Sequence, residues 1–153
     1  MSARAIAMTI LVAEDDPDDR ALARDAFAEA RVPNRIDFVE DGEELLAYLR
    51  NEGRYADSGA YPSPGLILLD LNMPRLGGRE ALAEIKSDPT LRHIPIVVMT
   101  TSRANDDVIA SYQSGSNSYI TKPASFQSLL DVVRAFRRYW MEVVDLPAVN
   151  EEH

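Results

Sequence analysis

The sequence predicts an α/β domain in which a parallel sheet carries helices on both of its faces. Short, unbroken apolar runs recur along the chain and stop on polar residues, as strands buried on both faces do. Between them lie segments whose apolar side chains follow helical spacing, so that strand and helix alternate five times. Such alternation requires parallel strands joined by right-handed crossovers. The most complete run is Leu66 to Leu69, which leads straight into Asp70, with Asn72, Met73 and Pro74 close behind.

Ile10-Leu11-Val12-Ala13 is the first strand, ending on Glu14-Asp15-Asp16. Pro17 follows, so Asp16 reads as a helix N-cap with proline at the first helical position. Asp18 and Asp19 suit the positive end of the helix dipole, ahead of Leu22, Ala23, Ala26, Phe27 and Ala30. Glu14 and Asp15 precede the cap and have no such use. Paired acids at a strand end are costly without a cation or partner. Ile36 to Val39 is the second strand. Asp41 and Glu44 have capping-box spacing and open a helix through Leu45, Leu46 and Leu49. Residues 51–65 hold Gly53, Gly59, Pro62 and Pro64 with Tyr55 and Tyr61, and read as a long, inert surface loop.

After the central strand, Gly77-Gly78 leads into a helix with Leu82 and Ile85 inward, ended by Ser87-Asp88-Pro89. Pro95 opens the next apolar run, Ile96 to Met99, which stops at Thr100-Thr101-Ser102. A helix around Asp106 to Ser114 ends at Gly115, and Ser118 to Thr121 is a short last strand closed by Lys122-Pro123. The final helix starts at Ser125 and carries Phe126, Leu129 or Leu130, Val133, Phe136 or Arg137, Trp140 and Val143, stopping at Leu146-Pro147. Residues 8–146 are expected to form one domain between flexible termini, 1–7 and 147–153.

Composition narrows the function. At 153 residues the chain is long enough for one domain with a real core. A net charge of -9 argues against binding nucleic acid through a basic surface. There are no cysteines, which excludes disulfides and thiolate metal sites. No apolar run approaches the roughly 18 residues of a membrane span, and Met1 to Met8 lacks a signal-peptide pattern. The expected compartment is the cytoplasm.

Five βα units fit the strand order 2-1-3-4-5 of flavodoxin-like doubly wound sheets, whose switch point lies between the first and third strands. That crevice would gather Glu14, Asp15 and Asp70, while Thr100 and Lys122 end the two strands beyond Asp70. Taken alone, Asp70 serves equally well as a turn cap before Pro74; its company decides for a site. Three carboxylates in one pocket need a counter-charge, and an oxygen-only ligand set with room for water suits Mg²⁺. A carboxylate is also a nucleophile toward phosphorus. Phosphoryl transfer asks for a metal, a cation and a hydrogen-bond donor, roles open to Lys122 and Thr100. His93 precedes a strand on the opposite edge and His153 is terminal, so a Ser-His hydrolase site is not expected.

The acidic pair Glu14-Asp15, the LLDLNMP segment with Asp70, Thr100 and Lys122-Pro123 together resemble the response-regulator receiver domain, over about residues 8 to 140. The resemblance implies that Asp70 accepts a phosphoryl group from a phosphohistidine on a sensor histidine kinase. It implies direct Mg²⁺ ligation by Asp15 and Asp70, by the Asn72 backbone carbonyl, and by Glu14 through water. Lys122 would pair with the Asp70 carboxylate or its phosphate, and Thr100 with Tyr119 would form the conformational switch. The alternative for Tyr119 is a half-buried strand aromatic, and the switch role is preferred.

The loop GRYADSGAYPSP, the TTS after the fourth strand and the terminal YWMEVVDLP further resemble stand-alone receivers that pair with bacterial phytochromes. Some of those dimerise through the face of their last two helices. Here the candidate homodimer surface is Val108, Ile109 and Tyr112 with Tyr139, Trp140, Val143 and Val144. Thr101 departs from the small residue common at its position in receivers. Among rivals, a haloacid-dehalogenase-type phosphatase wants a second aspartate where Asn72 stands, and usually a cap domain. A flavin or nucleotide module needs a phosphate-cradling loop after the first strand, where acids would repel phosphate. A degenerate scaffold receiver would lack site positions that are all present.

Overall fold

A computed structural model of the chain describes residues 8–71, 73, 77–100, 118–121 and 125–139. Its elements are β1 (Ile10–Ala13), α1 (Pro17–Glu29), β2 (Ile36–Val39), α2 (Gly42–Arg50), a short 3-10 turn (Gly53–Tyr55), β3 (Leu66–Asp70), α3 (Gly78–Ser87), β4 (Ile96–Thr100), β5 (Ser118–Thr121) and α4 (Phe126–Tyr139). All pairings in the sheet are parallel, in the order β2-β1-β3-β4-β5. The α/β class with a parallel sheet expected from the sequence is what the structure has. The predicted helix over 106–114 and the termini 1–7 and 147–153 lie outside the described residues.

Strand side chains alternate between faces, and here both faces are dry. Leu11, Ala13, Ile67, Leu69, Ile96 and Val98 point to one side and pack against Leu45, Leu46, Leu49, Ala81, Leu82 and Ile85 of α2 and α3. Ile10, Val12, Leu66, Leu68, Val97 and Met99 point to the other, against Ala26 and Phe27 of α1 and Leu130 and Val133 of α4. That two-sided burial is why the strands read as continuous apolar runs. Each Leu or Ile side chain fully removed from water contributes roughly 1.5–3 kcal/mol.

Two helix starts are capped as the sequence suggested. The Asp16 carboxylate accepts a bond from the Asp18 amide, with Pro17 at the first helical position. Asp41 likewise accepts from the Glu44 amide at 2.8 Å. The Glu44 carboxylate also takes the Tyr55 hydroxyl at 2.5 Å. Two apolar side chains of the expected stripes face water, Leu22 at 39% and Phe126 at 36% exposure. In α4 the inward residues are Leu130 and Val133, with Leu129 and Phe136 half-buried.

Residues 51–65 are not an inert surface loop. Asn51 ends α2 in the left-handed region at φ 53°, and its amide donates to the carbonyls of Tyr55 (3.0 Å) and Tyr61 (2.9 Å). Tyr55, 3% exposed, joins Tyr48 and Tyr61 in a ring cluster with centroids 4.9–5.6 Å apart. The Tyr48 hydroxyl donates to Asp37 of β2 at 2.5 Å. Burial, followed by the nearby carboxylate, raises the pKa of both Tyr48 and Tyr55 well above the ordinary phenol value. Tyrosine bodies are apolar and their tips polar, so the residues that looked like loop decoration form a minor core.

Gly78 marks the tightest approach near the sheet's carboxyl edge. A Cβ there would overlap the Asp70 carbonyl oxygen and lie 2.7 Å from Leu71 Cα. Both obstacles are backbone, so nothing can swing aside. Gly78→Ala should therefore destabilise by about 1–3 kcal/mol, more than the roughly 1 kcal/mol that alanine gains in helix propensity. At Gly77 the nearest atom is the flexible Glu80 carboxylate at 2.6 Å, and Gly77→Ala should be close to neutral. Urea denaturation of the two variants checks the contrast.

Candidate functional site

The site is made by strand register. Ile10 to Ala13 pair with Leu66 to Leu69, so the next positions along, Glu14 and Asp70, are neighbours at the carboxyl edge. Asp70 is the last residue of β3 and is 2% exposed; Glu14 is 3% exposed, and Asp15 is half-buried. Carboxylate oxygens of Glu14, Asp15 and Asp70 all lie within 4.8 Å of one another. Three such groups so close, two of them nearly out of water, repel strongly unless a cation neutralises them. The donor set is oxygen only, which fits a hard divalent ion. These three predicted residues are thus brought together.

The remaining acids near β1 are used differently. Asp16 caps α1, and its own amide donates to the Glu14 carboxylate at 3.2 Å. Asp18 is exposed in the first turn of α1. The Glu14 amide donates to the Val39 carbonyl at 2.9 Å, extending the β1–β2 ladder to the site.

Arg20 is a site neighbour that sequence reasoning missed. One of its guanidinium nitrogens donates to the carbonyls of both Glu14 (3.0 Å) and Asp15 (2.9 Å), and another pairs with Glu40 at 3.1 Å. An arginine in the first turns of an amphipathic helix looks like ordinary solvent-facing charge. The only available signal was its position, from which a side chain leaning toward the helix N-terminus reaches back over the preceding loop.

Thr100 ends β4 opposite Thr121, and Asp70 pairs with Met99, so Thr100 lies one residue beyond Asp70's partner. Tyr119 pairs with Val98 in β5, and Tyr139 closes α4. Asn72, Lys122, Val108, Ile109, Tyr112, Trp140, Val143 and Val144 lie outside the described residues. A small cleft of about 80 Å³ opens beside Glu14 between α1 and α4, lined by Leu22, Phe27, Met99 and Leu129 among others.

Comparison with known proteins agrees with this geometry. The model of the response regulator receiver domain matches residues 10–134. The response regulator Rcp1 of Synechocystis is 42% identical over 139 residues, 91% of this chain and 92% of that protein. The crystal structure of the phosphorylated cyanobacterial phytochrome response regulator RcpA superposes with a TM-score of 0.78 at 46% identity, covering 89% of this chain and 95% of that one. The Mn²⁺-bound form of Rcp1 gives 0.76 at 40% identity, with 89% and 96% covered.

The division of labour among the acids is testable. Asp15→Ala should weaken divalent-cation binding by well over tenfold, since a unit charge pair at 4 Å is worth about 4 kcal/mol even at an effective dielectric near 20. Asp18→Ala should leave it nearly unchanged. Calorimetric titration of both variants with Mg²⁺ and Mn²⁺ checks this.

Proposed function

The chain belongs to the response regulator receiver domain family, and from that premise we propose that Asp70 is the residue that takes the phosphoryl group from a sensor histidine kinase. The observation that carries the reading is the meeting of Asp70 with Glu14 and Asp15 at the end of the central strand. An Asp70 oxygen attacks phosphorus in line, the phosphorus–nitrogen bond of the donor phosphohistidine breaks, and the imidazole leaves with the electron pair. Receiver domains hold a divalent metal in their acidic pocket, and here we assign it as Mg²⁺. When bound, the ion neutralises charge on the transferring group. Asp15 and Asp70 would hold it directly, with the Asn72 backbone carbonyl, and Glu14 through water.

Lys122 then pairs with the acceptor carboxylate or its phosphate, and the Thr100 hydroxyl donates to the phosphoryl oxygens. Tyr119 follows Thr100 as the second half of the switch. Their support is position, since Thr100 ends β4, beside β3, and Tyr119 lies on β5, the next strand out. The chain is a signalling phosphoacceptor of a two-component system, and in our reading its chemistry is confined to gaining and losing its own phosphate. RcpA is a phytochrome response regulator by name, and we extend that pairing to the kinase of this chain. Residues 8–146 constitute the receiver, acting in the cytoplasm without nucleic acid; among the described residues no helix is long and apolar enough to cross a membrane.

We assign the assembled form as a homodimer built on Val108, Ile109, Tyr112, Tyr139, Trp140, Val143 and Val144. The apolar spacing of the last helix continues in sequence past Tyr139, further than one sheet needs.

Two measurements bear on these assignments. With Mg²⁺ and a small phosphodonor, the parent should gain one phosphoryl group by intact mass and Asp70→Asn none; a full adduct on Asp70→Asn would remove Asp70 as the acceptor. In sedimentation, the parent should be dimeric at micromolar concentration and the Trp140→Glu, Val143→Glu double variant monomeric.

A further inference from the structure

The geometry points to Arg20 as a positioning residue for the acidic pair, one that strengthens divalent-metal binding although it adds a positive charge beside the site. The inference rests on reading Glu14, Asp15 and Asp70 as a metal centre.

Glu14 and Asp15 lie just past the paired residues of β1, at the turn from strand to helix. A chain leaving a strand for a helix has several ways to turn, and most would carry one of the two carboxylates away from Asp70. Arg20 removes that freedom. Its one nitrogen bridges both carbonyls at 3.0 and 2.9 Å, and the fork's other end is anchored on Glu40 at 3.1 Å. Glu40 directly follows β2, and β2 lies on the side of β1 away from β3. The loop's carbonyls are therefore drawn toward β2, which leaves its carboxylates to converge on Asp70 at the β3 side. The Glu14 amide, bonded to the Val39 carbonyl at 2.9 Å, reinforces the same direction. At 18% side-chain exposure the guanidinium is largely shielded, and its planar fork suits two acceptors and a carboxylate at once.

Position and charge make opposite claims, and this makes the inference testable. By Coulomb's law alone, deleting a cation near a divalent-ion site tightens binding. Loss of the strap loosens it, because outer-shell partners that orient ligands typically control affinity by about 10- to 100-fold. Arg20→Met should therefore bind Mn²⁺ about tenfold more weakly than the parent, despite one more net negative charge. The deficit should persist in about 1 M salt, where the Debye length is near 3 Å and remote charge is screened. Arg20→Lys keeps the charge but loses the fork, and should fall between the two. Glu40→Gln, which frees only the anchor end, should weaken binding by a smaller factor.

Mn²⁺ affinity by electron paramagnetic resonance, with thermal melts of each metal-free variant as a control, reads these outcomes. Equal or tighter binding by a folded Arg20→Met overturns the inference. Should Arg20→Met not fold, parent-like affinity in both Arg20→Lys and Glu40→Gln overturns it instead. The underlying reading has its own control in the same titration. A parent that binds no Mn²⁺, or an Asp15→Asn that binds as well as the parent, defeats the metal centre itself.

Discussion

The pairing of β1 with β3 is the constraint on which the carboxyl edge depends. Neither strand alone makes a site: Glu14 and Asp15 follow β1, and Asp70 ends β3. Parallel register aligns their ends to the residue, and a slip by one position would send Glu14 and its neighbours to the opposite face. Register in turn is enforced by the two dry faces, because residues 10–13, 66–69 and 96–99 each fill a place in one of the two cores. The apolar sheet thus holds together three like charges that would otherwise separate. The hydrophobic cores supply the stability, and the charged edge draws on it.

The loop that carries the acids is oriented by bonds from the protein itself. Asp16 bonds to Glu14, Glu14 to Val39, and Arg20 to both loop carbonyls, all within the protein. Gly78 allows α3 to start directly against the backbone of Asp70 and Leu71, bracing β3 from the far side.

What could be read in the sequence was whatever leaves a periodic or terminal trace. The strands Ile10–Ala13 and Leu66–Asp70 are apolar runs with abrupt polar ends, and Asp16-Pro17 is a cap by residue type. The meeting of Glu14, Asp15 and Asp70 followed once the strand order was assumed. Contacts made by long side chains across the fold left no such trace. Arg20 was indistinguishable from surface charge, and the bond from Tyr55 to Glu44 spans eleven residues. Tyr55 and Tyr61 sat among glycines and prolines, where composition says loop while the rings say core. Helical spacing also overstated burial at Leu22 and Phe126, because amphipathicity marks a stripe without fixing its width.

The Asn51 clasp has a consequence for how this domain tolerates change. It holds the carbonyls of Tyr55 and Tyr61, and between them Asp57, Ser58, Gly59 and Ala60 form an exposed tip. The tip's ends are fixed independently of its length, and closing a longer loop is cheap, about 0.6 kcal/mol for each doubling. The segment also enters β3 at its amino end, the edge opposite Asp70. A reporter or affinity tag grafted into this tip would hang from an anchored mount, remote from the acidic edge of the sheet.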